Sequence, residues 1–172
     1  MTSTAKSIVI YGQKRSGKSS VLYHLKEELN KTEKAFCIDF SLGSILTEWS
    51  IPVFYDKILR EIGKELRKQQ RQGTSIPVFD KPDFDKLKER PTSIFDEVLE
   101  EFLENCLDTE GWQERRLTIL IDEFTYLYSS IQRGTIPNDF MKTWKDITDK
   151  GYFNSVLIGQ DVMPDFQAKF PN

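Results

Sequence analysis

Residues 7–20 read Ser-Ile-Val-Ile-Tyr-Gly-Gln-Lys-Arg-Ser-Gly-Lys-Ser-Ser, and they are the strongest indication of the fold class. Its first five residues form an apolar, β-branched run that stops at Gly12, which is typical of a buried strand entering a tight turn. Residues 12–19 match the pattern of glycine, any four residues, glycine, lysine and serine or threonine. From Lys18 the apolar positions follow helical spacing, and we expect one helix face to hold Val21, Leu22, Leu25 and Leu29. The stretch therefore predicts a strand, a phosphate-binding loop and a helix.

The loop predicts the nucleotide contacts of the chain. Glycines at the turns let backbone N–H groups converge on a polyphosphate, and the helix N-terminus adds positive potential. Lys18 would then lie against the β- and γ-phosphates, the Ser19 hydroxyl would complete a Mg²⁺ shell, and Ser20 would lie near the α-phosphate. The alternative is a glycine-rich turn without a ligand. The predicted nucleotide-binding residues are Gly12, Gln13, Lys14, Arg15, Ser16, Gly17, Lys18, Ser19 and Ser20.

A pair of acidic residues, Asp122 and Glu123, follows the most apolar run of the chain, residues 117–121. The run does not alternate with polar residues, which predicts a central parallel strand covered on both faces. Carboxylates after such a strand lie at the sheet edge where ligands bind. We expect Asp122 to hold Mg²⁺ and Glu123 to polarise the water that attacks the γ-phosphate. The alternative is an acidic helix start, favoured by the helix dipole.

The rest of the chain alternates between strand and helix patterns. Residues 35–40 and 155–158 read as two further strands, and the α/β class with a parallel sheet follows. We expect residues 73–91, which contain three prolines, to be irregular, and Ser93 to cap the helix after them. The expected helices after the first cover residues 51–72, 93–106, 125–132 and 138–150.

The composition excludes several classes of protein. The 172 residues predict one domain, and 38% hydrophobic residues allow a buried core. The net charge of -3 gives no global electrostatic reason to expect nucleic acid as a partner without excluding it, and the basic residues Lys64, Arg67, Lys68 and Arg71 are interpreted as a solvated helix face. Two cysteines in apolar runs suggest neither disulfides nor zinc. With no apolar run near about 18 residues, we expect no membrane span and a cytoplasmic location.

Two competing nucleotide-binding classes fit the motifs less well. A GTPase should carry an Asn-Lys-x-Asp box after a later strand, and the nearest match, residues 30–33, ends in glutamate and precedes the second strand. Small-molecule kinases generally place an acceptor-binding Asp-Arg where this chain has Asp39 and Phe40, and they do not need the acid at position 123. ATP hydrolysis is therefore favoured over GTP binding and over phosphoryl transfer.

Four motifs together resemble the ATPase core of the signal-transduction ATPases with numerous domains (STAND), within the AAA-like P-loop superfamily. These are residues 10–23, 36–39, 120–124 and 156–160. The resemblance implies a three-layer fold with strand order 1-4-3-2, ATP or ADP as ligand, and Mg²⁺. It also makes Gln160, after the fourth strand, the candidate sensor of the γ-phosphate. The implied catalytic residues are thus Glu123, Lys18 and Gln160.

The resemblance also implies a larger protein. Members of the family usually add a fifth strand beside strand 1 and then a helical lid, and residues 1–172 contain neither. We therefore expect a partial ATPase core domain that works with a lid and with effector or sensor domains, and a homo-oligomer is possible. Two alternatives to an ATPase switch stay open: a nucleotide-dependent scaffold with little turnover, and an AAA-like DNA-remodelling or loader ATPase, which would bind DNA with a steep salt dependence.

Overall fold

In the part of the chain that the structure describes, the sheet has four parallel strands in the order β1-β4-β3-β2, which confirms the expected order. The computed structural model describes residues 6–13, 15–160 and 168. The strands, one or two residues longer than predicted except for the first, are β1 (Ser7–Tyr11), β2 (Ala35–Ser41), β3 (Arg116–Asp122) and β4 (Asn154–Gly159). Tyr11 pairs with Gly159, and Ser41 pairs with Asp122. The residues that follow the strands therefore share one edge of the sheet.

Six helices of the described residues pack on the two faces of this sheet. The polar connection after β2 forms a 3₁₀ segment, Leu42–Glu48, and Ser50 then caps the second helix by accepting from the N–H of Val53 at 3.4 Å. The helices are α1 (Lys18–Lys31), α2 (Ile51–Arg71), α3 (Phe84–Glu89), α4 (Pro91–Asp108), α5 (Thr125–Gln132) and α6 (Phe140–Asp149).

Three sequence predictions about the helices are wrong. The short helix α3 lies in the stretch expected to be irregular, where Leu87 is fully buried and anchors it. Helix α4 begins at Pro91, so Ser93 lies inside it and does not cap it. Proline suits a first helical position because that N–H has no intrahelical partner. On α1, Val21 is 49% exposed, because the helix turns Leu22, Leu25 and Leu29 toward the sheet.

Among the described residues, the hydrophobic core has two parts, one on each face of the sheet. In the larger part, helices α2 to α6 pack over Leu117, Ile119 and Ile121 of β3. The smaller part packs α1 over the other face, which includes Cys37 and Leu120. Because β3 is covered on both faces, its residues 117–121 are apolar except for Thr118, as is typical of parallel central strands.

The two edge strands of the sheet differ in how far other elements shield them from solvent. At the β2 edge, Lys26 of α1 pairs with Asp39 at 2.5 Å and approaches Glu65 of α2 to 3.8 Å. At the β1 edge, Ile8 and Tyr11 are 52% and 53% exposed. The edge position of β1, expected from the sequence, thus holds for the described residues. Among these residues, no helix is long and apolar enough to cross a membrane.

Candidate nucleotide-binding site

The loop between β1 and α1 has the backbone shape of an anion cradle. Gly17 has a φ of 84° and Arg15 a φ of 66°, so the loop turns back before the helix begins. Gly17 occupies the N-cap position of α1, no side chain caps this end, and the first turn has no acidic residue. The first N–H groups of α1 therefore face the loop without an internal acceptor, which favours an anionic ligand.

Lys18 lies folded over this loop. Its ammonium donates to the carbonyl oxygens of Gly12 at 2.8 Å and Gln13 at 2.5 Å, and it contacts the Ser16 hydroxyl at 3.4 Å. These acceptors are backbone and hydroxyl oxygens, and no carboxylate pairs with Lys18 within the described residues. A phosphate offers this ammonium stronger, charge-assisted hydrogen bonds than neutral carbonyls do.

Ser19 and Asp122 join the loop to the acidic strand end. The Ser19 hydroxyl donates to Asp122 Oδ2 at 2.8 Å, although the two residues are 103 positions apart in the chain. The second oxygen, Oδ1, accepts from the N–H of Glu123 at 2.7 Å. Two hard oxygen donors thus lie side by side, an arrangement suited to Mg²⁺.

Glu123 turns away from this pair. Its φ of 56° places it in the left-handed region, which is uncommon for a glutamate and marks a sharp turn after β3. Its carboxylate accepts a hydrogen bond from the Ser41 hydroxyl at the end of β2. Gly43 leaves space for this contact, because a Cβ there would lie within 3.3 Å of the Glu123 carboxyl carbon.

The other predicted site residues lie around the loop edge. Gln160 directly follows β4, the strand between β1 and β3, and so lies at the edge between the loop and Asp122. Its half-buried side chain makes no hydrogen bond with another described residue. Exposed positions in and after the loop are Gln13, Arg15, Ser16, Gly17 and Ser20. Lys14 lies outside the described residues.

Sequence reasoning missed Ser41 and Gly43. The signal was present: a serine follows the apolar run of the second strand, and the implied strand order places that end beside Asp122. Asp39, by contrast, lies within β2 and pairs with Lys26.

A Mg²⁺–nucleotide complex fits the residues present. The open α1 N-terminus and the Lys18 ammonium can hold phosphate, while Ser19 and Asp122 supply two oxygen ligands. No cluster of three or more His, Cys, Asp or Glu that could hold a metal occurs among residues 6–13, 15–160 and 168. Mg²⁺ commonly takes its remaining ligands from phosphate and water, so two protein oxygens suffice.

Two arginines that could have served a nucleotide are engaged elsewhere. Arg115 donates to the carbonyl of Gly111 and to the Gln69 side chain, and its guanidinium lies 4.7 Å from the Trp112 ring. Arg116, which opens β3, donates to the carbonyl of Gly151 at 2.8 Å. Both lie at the end of the sheet opposite the loop.

The parallel sheet of order β1-β4-β3-β2, with a glycine-rich loop after β1 and an acidic pair after β3, defines a P-loop NTPase domain. A family model described as an AAA domain matches residues 1–165. The chain therefore belongs to this family of AAA domains. No curated protein sequence matches it. Membership of an AAA family makes nucleotide binding the expected activity, and the STAND branch is not distinguished by this match.

Proposed function

We propose that this domain binds ATP with Mg²⁺, hydrolyses it, and acts as a nucleotide-controlled switch in a larger cytoplasmic signalling or defence protein of the STAND type. The contact between Ser19 and Asp122 carries the proposal, since it joins the phosphate loop to the acidic end of β3 at 2.8 Å. The buried free cysteines Cys37 and Cys106 fit a reducing compartment.

Each site residue has a task in this proposal. Lys18 exchanges its loop carbonyls for the β- and γ-phosphates, and Ser20 lies near the α-phosphate. Ser19 and Asp122 are the protein ligands of Mg²⁺. When bound, this ion would neutralise part of the negative charge of the phosphates. Glu123 orients the attacking water, and Gln160 senses the γ-phosphate.

A scaffold that binds nucleotide with little turnover is the second candidate. The contact between Ser41 and Glu123 supports it, because this hydrogen bond holds the carboxylate toward β2. The loop lies on the other side, beyond β3 and β4. A Glu123 that stays on Ser41 after nucleotide binds would leave the water without its orienting group.

Binding and turnover measured on the same protein separate the two candidates. The switch requires ATP·Mg²⁺ binding by calorimetry together with phosphate release that Glu123→Gln abolishes. The scaffold requires the same affinity with phosphate release no faster than in the Glu123→Gln variant. Absence of ATP binding contradicts both candidates.

A further inference from the structure

Helix α2 carries a stripe of cations on its solvent face. Four basic residues at intervals of four, three and four positions lie on one side of α2, opposite the core-facing Ile58, Ile62 and Leu66. All four side chains are exposed. This basic stripe consists of Arg60, Lys64, Arg67 and Arg71.

Helix α4 carries the opposite charge. Its 18 residues include six carboxylates and no lysine or arginine. Four exposed positions repeat the intervals of four, three and four residues, opposite the buried Phe95, Leu99 and Phe102. This acidic stripe consists of Glu97, Glu101, Glu104 and Asp108. Each stripe extends about 16 Å along its helix, at 1.5 Å per residue.

The two stripes lie on the same side of the sheet. Both helices pack into the larger core over β3, and the rings of Tyr55 on α2 and Phe95 on α4 stack at 4.3 Å. Because each helix turns its apolar side chains into this core, the charged side chains on the opposite face of each helix lie toward solvent. One surface of the molecule is thus basic along α2 and acidic along α4.

Most of these charges have no partner within the described residues. Arg60 pairs with Asp56 at 2.6 Å and Lys64 with Glu61 at 2.7 Å, and the other six stripe residues make no ion pair there. Two large apolar side chains accompany the stripes: Leu107 on α4 and Val78, whose carbonyl accepts from Asn105 of α4, are both 62% exposed.

We propose that this surface is an interface with a second copy of the chain. A two-fold axis lays the basic stripe of each copy along the acidic stripe of the other, so the same match forms twice and closes a dimer. One chain carries both charges at the same intervals, so a second copy can match both stripes. A polyanion such as nucleic acid would be repelled by the acidic stripe that lies beside the basic one. The proposal does not depend on nucleotide binding.

The dimer should be weak and sensitive to salt. Exposed ion pairs each contribute little, and salt screens them at distances near 10 Å. We expect the dissociation constant of the dimer to rise about tenfold between 50 and 500 mM NaCl. Association through the apolar edge of β1 would not weaken with salt.

Charge reversal in sedimentation experiments tests the interface. Arg67→Glu with Arg71→Glu, and separately Glu101→Lys with Glu104→Lys, should each give a monomer, because like charges then face each other. An equimolar mixture of the two variants should restore the dimer, since each variant keeps one native stripe and supplies one reversed stripe. The matched control is Glu27→Lys with Glu28→Lys on α1, which lies on the other face of the sheet and should leave the dimer intact.

Several results would overturn the proposal. The first is a wild-type protein that stays monomeric at 0.5 mM in about 0.01 M salt, where the Debye length is about 30 Å and charges are screened least. The second is a dimer that survives either charge reversal. The third is a mixture that stays monomeric while both variants keep wild-type melting temperatures. Species larger than a dimer would exclude the two-fold arrangement.

Discussion

The Ser41 hydroxyl donates a hydrogen bond to the Glu123 carboxylate, between the ends of the neighbouring strands β2 and β3. The preceding residue, Asp122, reaches in the other direction and accepts from Ser19 of the phosphate loop. The two adjacent carboxylates thus make hydrogen bonds on opposite sides of the end of β3, Asp122 toward the phosphate loop and Glu123 toward β2. The left-handed backbone of Glu123 makes this division possible, because it turns the chain sharply after β3.

Loss of Ser41 should release Glu123. In Ser41→Ala the carboxylate loses its hydroxyl donor and becomes free to turn toward the loop. A hydrogen bond to a charged group contributes about 1.5 kcal/mol, so we expect ATP turnover to rise about tenfold with little change in affinity. Phosphate release under saturating ATP measures this, and an unchanged or reduced rate would mean that Ser41 does not restrain Glu123.

A substitution at Gly43 should act on the same contact by a different route. In Gly43→Ala the new Cβ would lie 3.2 Å from the Ser41 hydroxyl and much closer to the end of the Glu123 side chain. That end is flexible, so the carboxylate moves and the fold is retained. We expect turnover to match that of Ser41→Ala, with a melting temperature close to wild type. A loss of folded protein would show that the backbone cannot accept the methyl group.

Lys18→Ala should weaken ATP·Mg²⁺ binding. The variant removes the ammonium that lies over the loop, and a charge-assisted contact to phosphate contributes roughly 1.5–3 kcal/mol. We expect the affinity measured by calorimetry to fall by one to two orders of magnitude. Lys26→Ala, which removes a lysine of the same helix that pairs with Asp39, is the matched control. Equal affinity in wild type and Lys18→Ala would contradict the proposed nucleotide site.

The exposed edge of β1 should promote aggregation. Ile8 is 52% exposed on a strand with one unpaired side in the described part of the sheet, and such edges pair with other chains. Ile8→Lys should therefore lower light scattering on heating. Tyr23→Lys, which changes a residue 60% exposed on α1, should not. Equal protection by both variants would indicate a general charge effect.

Stability should fall above pH 9 because of the buried thiols. Burial raises the pKa of Cys37 from 9.0 to about 11 and that of Cys106 to about 12. The unfolded thiols lose their protons near pH 9 while the native thiols keep theirs, so the unfolding free energy decreases as pH rises from about 9 to 11, by up to about 1.4 kcal/mol per pH unit for each thiol. Urea unfolding at pH 8, 9 and 10 measures this slope. The double variant Cys37→Ala with Cys106→Ala should flatten it, and an equal slope would assign the effect to other groups.

The residues that carry the phosphate-loop pattern and the apolar strand runs could be recognised without a structure. Residues 12–19 depend on local backbone geometry, which glycine spacing encodes directly, and residues 117–121 are apolar because both sheet faces are covered. Helical periodicity likewise predicted helices α2 and α6, on which Ile62 and Trp144 are buried. It failed for α3, a helix of six residues, since so short a segment has no complete period and forms by burying Leu87.

The local parts of the site could be predicted from the sequence: the loop, the helix that follows it and the acidic pair after a buried strand. The contacts between residues that are distant in the chain depend on the tertiary fold. Ser41 reaches Glu123 because β2 pairs with β3 in a register that places Ser41 beside Asp122, and α2 and α4 present their charges together because both cover the same sheet face. Strand register and helix packing arise from the burial of many side chains at once, so no single stretch of sequence encodes them.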